Sequence, residues 1–307
     1  MSLTSWQAMQ LLQRSLRFSA VALLVVTLTA CAPRQLIIGG IADELATQQQ
    51  GSENDLELAR EASAFYLKLS ESILQRKPGH QGLATAVSAG LTQYAYAFVA
   101  FEAEQIEAKD AKTAERLRQR AARLYQRAQQ HAVKSLEQQI PGFSAALASP
   151  QAKNWPKLTR EQAGLGYWAA AAWGGWISLS KDDPETVADL PLAIRLAEIA
   201  WAADPDWGDG ALSALLGTFE AGRPGGNRQR ALDYFDQGIA QAKGRSAGAY
   251  LAKAEGYAQA SGNKSLFEQL LQQALAIKDE AGSPLTLQNE VMRRRARWLQ
   301  EKTEDLF

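Results

Sequence analysis

The stretch L-A-E-I-A-W-A-A-D-P-D-W-G, Leu196 to Gly208, decides the fold. With Ala193 just upstream, it places Ala193, Ala197 and Ala200 at steps of four and then three residues. That spacing puts all three on one face of a helix. Small side chains there suit close crossing by a second helix. Pro205 lacks an N–H and restricts Asp204, so the helix ends at the Asp-Pro pair and another starts beyond it. The same step recurs 38 residues later at Ala231, Phe235 and Gly238, and 36 residues after that at Phe267, Leu271 and Ala274. Upstream, Ala121, Tyr125 and Ala128 show it too. A recurring interval of this size is the signature of helical-hairpin repeats. The tetratricopeptide (TPR) repeat fits best, although its standard period is about 34 residues.

Past Asp55 almost every segment has helical periodicity and no alternating strand pattern emerges. The expected fold is all-α: an α-solenoid of degenerate TPR-like helix pairs over residues 55–307, stacked in a right-handed sense. Expected helices cover 55–76, 80–106, 111–138, 160–180, 188–203, 208–221, 227–243, 246–260, 263–277 and 284–302. Ala193, Ala200, Gly174 and Gly175 are expected to set how closely helices approach.

The chain starts with an address. Residues 1–30 contain Arg14 and Arg17 and no acid, and Phe18 to Ala30 form a thirteen-residue, mostly apolar core. That core is shorter than the roughly 20 residues of a membrane span and matches a secretory signal. It ends in L-T-A-C, Leu28 to Cys31, which resembles the bacterial lipobox. Cys31, the single cysteine, is therefore the expected lipidation site, and stable anchoring takes more than one acyl chain. Ala32 follows it, which permits outer-membrane sorting. Residues 31–54 are expected to form the lipidated N-terminus and tether.

Charge and composition exclude several functions. The 307 residues hold 33 basic and 33 acidic side chains with no basic stripe, so nucleic acid is not an expected partner. Two histidines, His80 and His131, and one cysteine argue against a His/Cys metal site and an internal disulfide. No nucleophile elbow appears. No catalytic residue, cofactor or metal is expected. Asp204 to Gly210 fails as a calcium loop, since Gly208 and Leu215 fall at positions 5 and 12. Arg223-Pro224-Gly225-Gly226-Asn227 reads as a lengthened turn. Arg293-Arg294-Arg295 with Arg297 is the densest basic patch and reads as a solvated face of the last helix.

Aromatic residues supply the candidate site. Gly166 to Trp176 reads G-Y-W-A-A-A-A-W-G-G-W. On a helix Trp168, Trp173 and Trp176 share an arc of roughly 140°, and a nearly bare side with Gly174 and Gly175 lies opposite. Tyr94 to Phe101 reads Y-A-Y-A-F-V-A-F; helical spacing puts Tyr94, Phe98 and Phe101 on one face and Tyr96 elsewhere. These rings either fill the core or wall a cavity for an apolar ligand. The cavity candidates are Tyr94, Phe98, Phe101, Tyr167, Trp168, Trp173 and Trp176.

Five segments together carry a family resemblance: Ala59–Leu74, Pro78–Leu83, Tyr94–Val99, Trp168–Leu179 and Asp204–Gly208. They resemble the T-component (TatT) family of TRAP transporters, the tripartite ATP-independent periplasmic systems. The resemblance implies a non-enzymatic, periplasm-facing lipoprotein of TPR-like helix pairs. It also implies a TRAP-type periplasmic solute-binding protein as partner, a homotrimer, and a pore or pocket for a hydrophobic small molecule or lipid. A TPR-type interaction scaffold of the cell envelope, with no small-molecule ligand, is the alternative.

Overall fold

The computed structural model describes residues 31–47 and 50–307; the expected leader, 1–30, and the Cys31 side chain lie outside the described residues. The helices are α1 (Cys31–Thr47), α2 (Leu56–Arg76), α3 (Gln81–Ala95), α4 (Phe101–Ile106), α5 (Ala111–Gln139), α6 (Phe143–Ala148), α7 (Ala163–Ser178), α8 (Pro184–Ala188), α9 (Leu190–Ala203), α10 (Ala211–Gly222), α11 (Arg228–Ala242), α12 (Ala247–Lys253), α13 (Lys264–Ala276), α14 (Thr286–Glu301) and α15 (Thr303–Leu306). A π-helical turn joins α3 to α4 at Tyr96–Ala100, and a second follows α12 at Ala254–Gln259. The described residues contain no strand, so the chain is all-α.

Local sequence sets the helix starts. The Asp55 carboxylate accepts from the N–H groups of Glu57 and Leu58 at 3.0 and 3.1 Å. His80 Nδ1 accepts from Leu83 N–H at 3.0 Å, so this histidine caps α3. Asp110, Asp183, Asn227 and Asn263 do the same for α5, α8, α11 and α13. Each such cap satisfies an amide that a helix start leaves open, typically stabilising by about 1 kcal/mol. The stretch expected as a tether is helical in α1, and Ala42 and Leu45 are buried in the main core. Short α6, α8 and α15 were not legible as periodic segments.

Packing follows chain order: α2 on α3, α3 on α5, α5 on α7, α7 on α9, then α9 through α14 each on the next, with the second π turn also on α13. One contact departs from an open row of pairs. The last long helix, α14, packs on α2, and its Val291 shares a core with Ala59, Tyr94 and Phe98. The two ends of the helical row therefore meet.

Glycines set the crossings by receiving rings. A Cβ on Gly174 would lie 2.7 Å from Phe219, and one on Gly175 would lie 2.8 Å from Tyr125. The bare side of α7 is filled by aromatic rings of α10 and α5, where close backbone approach had been expected. Phe235 is fully buried against both Gly217 and Gly256, where added Cβ atoms would stand 2.8 and 2.5 Å from its ring.

The Asp-Pro junction works as its sequence suggests. Asp204 ends α9, and Gly208, Asp209 and Gly210 turn with positive φ. Gln241 of α11 pins the turn, donating to the Pro205 carbonyl at 2.9 Å and to Asp206 at 2.8 Å. Gly210 has φ +90° and a Cβ there would collide with the Gly238 carbonyl. Gly225 has φ +69° and open space around it. Replacing Gly225 by Ala is expected to cost about 1–2 kcal/mol from backbone strain alone. Gly210→Ala is expected to cost clearly more, because α10 and α11 must also separate; urea unfolding of the two variants checks the difference.

Candidate functional site

The described structure concentrates buried charge at the place where α14 closes on the first helices. Arg295 lies there with its side chain 11% exposed. Its Nε and Nη2 donate to Glu255 at 2.7 to 3.1 Å, and its Nη1 donates to Glu104 at 2.9 Å. Its guanidinium also lies 5.7 Å from the ring centre of Tyr96, 5.3 Å from that of Phe101 and 5.9 Å from that of Trp298. Tyr96 Oη donates to the Met292 sulfur at 3.8 Å.

The first π turn builds this arrangement. On a regular α-helix Tyr96 and Phe101, five residues apart, would diverge by about 140°. Here the Phe101 N–H bonds the Tyr96 carbonyl, an i→i+5 link, and both rings face Arg295. The same turn separates Phe101 from its expected companions. Tyr94 and Phe98 stay together, ring centres 5.5 Å apart, and Tyr94 meets Arg120 of α5. Phe101 instead packs edge-on to Trp298 of α14 at 5.5 Å. The second π turn presents Glu255 to Arg295 while its neighbour Gly256 receives Phe235.

The electrostatics follow from burial. Burial would lower the Arg295 pKa, but Glu255 and Glu104 outweigh that, and the net direction is up, so Arg295 stays charged. Burial raises the Glu104 carboxyl; Arg295 opposes the shift and Glu255 adds to it. Tyr96 and Tyr125 are likewise pushed up by burial and remain neutral phenols. The Arg triplet is thus no solvated face. Arg293 bonds Asp279 at 2.8 Å and Glu290 at 2.9 Å, and Arg295 is the cation of the closure; Arg297 alone is exposed.

The remaining aromatic candidates fall in two other places. Trp173 is buried in the main core, and its Nε1 has no hydrogen-bond partner. Tyr167, Trp168 and Trp207 form an aromatic knot with ring centres 4.5 to 6.2 Å apart; burial raises the Tyr167 phenol to about 12. Trp176 is partly buried and touches both the main core and the core around Tyr94. Two clefts open elsewhere. One of about 510 Å³ includes Asn54, Lys278, Asp279 and Arg293 in its lining. The other, about 270 Å³, includes Trp155, Ile194 and Arg195. None of the seven candidates lines either cleft.

His131 has a partner that sequence did not name. Its Nε2 lies 2.8 Å from Glu71, a buried carboxylate that also accepts from Arg127 and, at 3.0 Å, from Lys68. Burial alone would raise the Glu71 pKa; bonds from Arg127, His131 and Lys68 reverse this and bring it from 4.5 to about 2. The cluster ties α2 to α5. Among the described residues no group of three or more His, Cys, Asp or Glu could hold a metal.

With this geometry in view, the comparisons with known proteins are decisive. The family model of the TRAP transporter T-component matches residues 52–307. The chain belongs to this family. It is also 27% identical to an uncharacterized protein of Treponema pallidum (strain Nichols) over 274 residues, covering 87% of this chain and 85% of that relative. The T-component family is a transport accessory of TRAP systems. No helix of the described residues is long and apolar enough to cross a membrane.

Two measurements probe the site. Arg295→Met strands two partly buried carboxylates and is expected to cost about 3–5 kcal/mol in chemical denaturation, whereas Arg295→Lys keeps the charge, loses the bidentate fork and costs less. Glu71 has a depressed folded pKa, so its contribution is complete above pH of about 4.5 and is lost as pH falls toward about 2. Wild-type stability is expected to drop more steeply across that window than that of Glu71→Gln, followed by circular dichroism at matched denaturant.

Proposed function

We propose that the chain is a periplasm-facing accessory lipoprotein of a TRAP-type importer that binds or relays an apolar ligand together with a solute-binding protein. Family membership across residues 52–307 is the observation that carries the reading. The L-T-A-C motif adds the anchor: acyl chains on Cys31 hold the mature protein at a membrane, which we take to be the outer one. The protein does no covalent chemistry in this scheme. It works as a homotrimer, as the family resemblance implies.

Tyr94, Phe98, Phe101 and Trp176 are the cavity-wall residues we favour, because they border the core around Tyr96, Tyr125 and Arg295. Apolar rings around a few fixed polar groups suit an amphipathic ligand. Tyr167, Trp168 and Trp173 remain in the proposal as a separate aromatic stretch of the same helix.

One observation favours the scaffold alternative. Leu58, Phe65 and Leu69 are exposed at steps of seven and four along α2, so they share a face, and an apolar face suits a protein partner. Tyr94, Phe98, Phe101 and Trp173 are meanwhile each below 10% exposed.

The test uses the full chain in detergent with a TRAP-type solute-binding protein from the same organism, and a membrane lipid extract. Co-elution of the two proteins, a co-purifying apolar molecule and an acylated Cys31 by mass spectrometry are the expected results. Co-elution with no bound molecule would select the scaffold reading. A bare Cys31 sulfur with the leader still attached would end the lipoprotein reading.

A further inference from the structure

Helix α5 carries a row of cations on one face. Arg116, Arg120, Arg123, Arg127, His131 and Lys134 follow one another at steps of four, three, four, four and three residues. They fall in an arc of roughly 80° along about 27 Å of helix, and no acid shares that arc. The even charge balance of the whole chain gave the expectation of no basic stripe; helical spacing corrects it. Arg116, Arg120, Arg123 and Lys134 are exposed, and none of the four is ion-paired among the described residues. The Arg116 guanidinium bonds the Thr113 hydroxyl, and that of Arg120 lies over the Tyr94 ring.

This row runs beside the apolar row of α2. Phe65 is 67% exposed and Leu58 54% exposed, and Leu69 and Tyr66 are exposed as well. Phe65, Lys68 and Glu71 are three residues apart, so each lies about 60° further round α2 than the last. Lys68 donates to Glu71 at 3.0 Å, and Glu71 bonds Arg127 and His131 across the seam to α5. The apolar side chains, Lys68 and the α5 cations therefore follow one another on one outer surface. That surface is positive. Glu71 is matched by Arg127 and Lys68 together, and the exposed acids of α2, Glu57 and Glu61, face four unpaired cations on α5.

We propose that this face lies on a lipid bilayer with anionic headgroups, the α5 cations against the headgroups and Phe65, Leu58 and Leu69 at the boundary with the acyl chains. Surfaces that rest on a bilayer combine basic side chains with Phe and Leu in this way. Each cation near an anionic bilayer strengthens binding about fivefold. Evenly spaced charge without a shaped pocket matches a continuous charged plane, and neither cleft includes a residue of α2 or α5. Helix α1, which begins at Cys31, packs on α2, so the helix leading in from the proposed anchor already borders this face. The inference rests on the membrane location in the proposed function and adds which face meets the bilayer.

Fluorescence of the full chain, reconstituted in vesicles of phosphatidylcholine alone or mixed with phosphatidylglycerol, tests it. A polarity-sensitive dye is attached at Phe65→Cys or, as control, at Gln273→Cys, an exposed position on α13. The unchanged chain, treated alike, corrects for dye at Cys31. At position 65 the emission should shift to the blue and be quenched by lipid-borne nitroxide when phosphatidylglycerol is present. The signal should fall in pure phosphatidylcholine and in about 1 M salt, where the screening length shrinks to about 3 Å. Position 273 should stay unquenched. Exchanging Arg116, Arg123 and Lys134 for Gln should lower the docking constant about 100-fold, at about fivefold per cation, and leave the thermal melt unchanged. An unquenched dye at position 65, or equal quenching in every vesicle and in the triple variant, would overturn the assignment. So would a blue shift in detergent alone that grows with protein concentration, which marks a second copy on this face, or one that needs the solute-binding protein. Mass spectrometry of Cys31 separates the two readings. An acylated Cys31 with an unquenched dye keeps the anchor and ends this inference; a bare Cys31 with a quenched dye does the reverse.

Discussion

Phe235 is held between Gly217 on one side and Gly256 on the other, and most of the fold depends on contacts of this kind. A ring is broad, flat and apolar, and it can come this close to a helix backbone only where that helix has no Cβ. Gly174 receives Phe219, Gly175 receives Tyr125 and Gly164 receives Trp207 by the same rule. Each ring removes a large apolar area from water, and each notch fixes where along the helix that burial can occur. Sliding one helix by a residue would drive the ring into a side chain. The notches therefore fix register between helices as well as bringing them together, and overpacking one by adding a methyl is costly in proportion to how little the ring can move.

The closure of α14 on α2 and α4 uses a different chemistry. Arg295 is taken largely out of water, which is unfavourable unless its donors are filled. Glu255, Glu104 and three ring faces fill its surroundings, and two π turns aim those groups at one point. Such turns widen a helix by one residue and are uncommon in regular structure. Their convergence on one buried cation places a strict geometric demand on this seam. An interaction of that geometry fails sharply when one partner is removed, so the ends of the helical row are joined by a contact that is specific as well as buried.

Much of the helical plan was legible in the sequence. The ten expected long helices match observed helices to within a few residues at most ends, because caps such as Asp55, His80 and Asn227 and the break at Asp204-Pro205 are local signals. Tyr96 and Phe101 show where that legibility stops. Their spacing contradicts a shared face on any α-helix, and only the π turn reconciles them. Arg293 and Arg295 looked solvated for the same reason: nothing in an R-R-R triplet says which side chain a distant Glu104 or Asp279 will meet. Trp155 and Arg195 lie 40 residues apart, in a loop and a helix, and neither carries a motif.

The sequence by itself determined the all-α class, most of the long-helix boundaries and the membership in a transport-accessory family. Each of these is written in neighbours along the chain or in a recurring step of residues. Tertiary structure alone decided that the row of helices closes through Arg295, that rings enter the bare side of α7, and that the Arg195 guanidinium lies over the Trp155 ring. Those features pair residues tens to hundreds of positions apart, and their energies come from burial and geometry that exist only once the chain has folded.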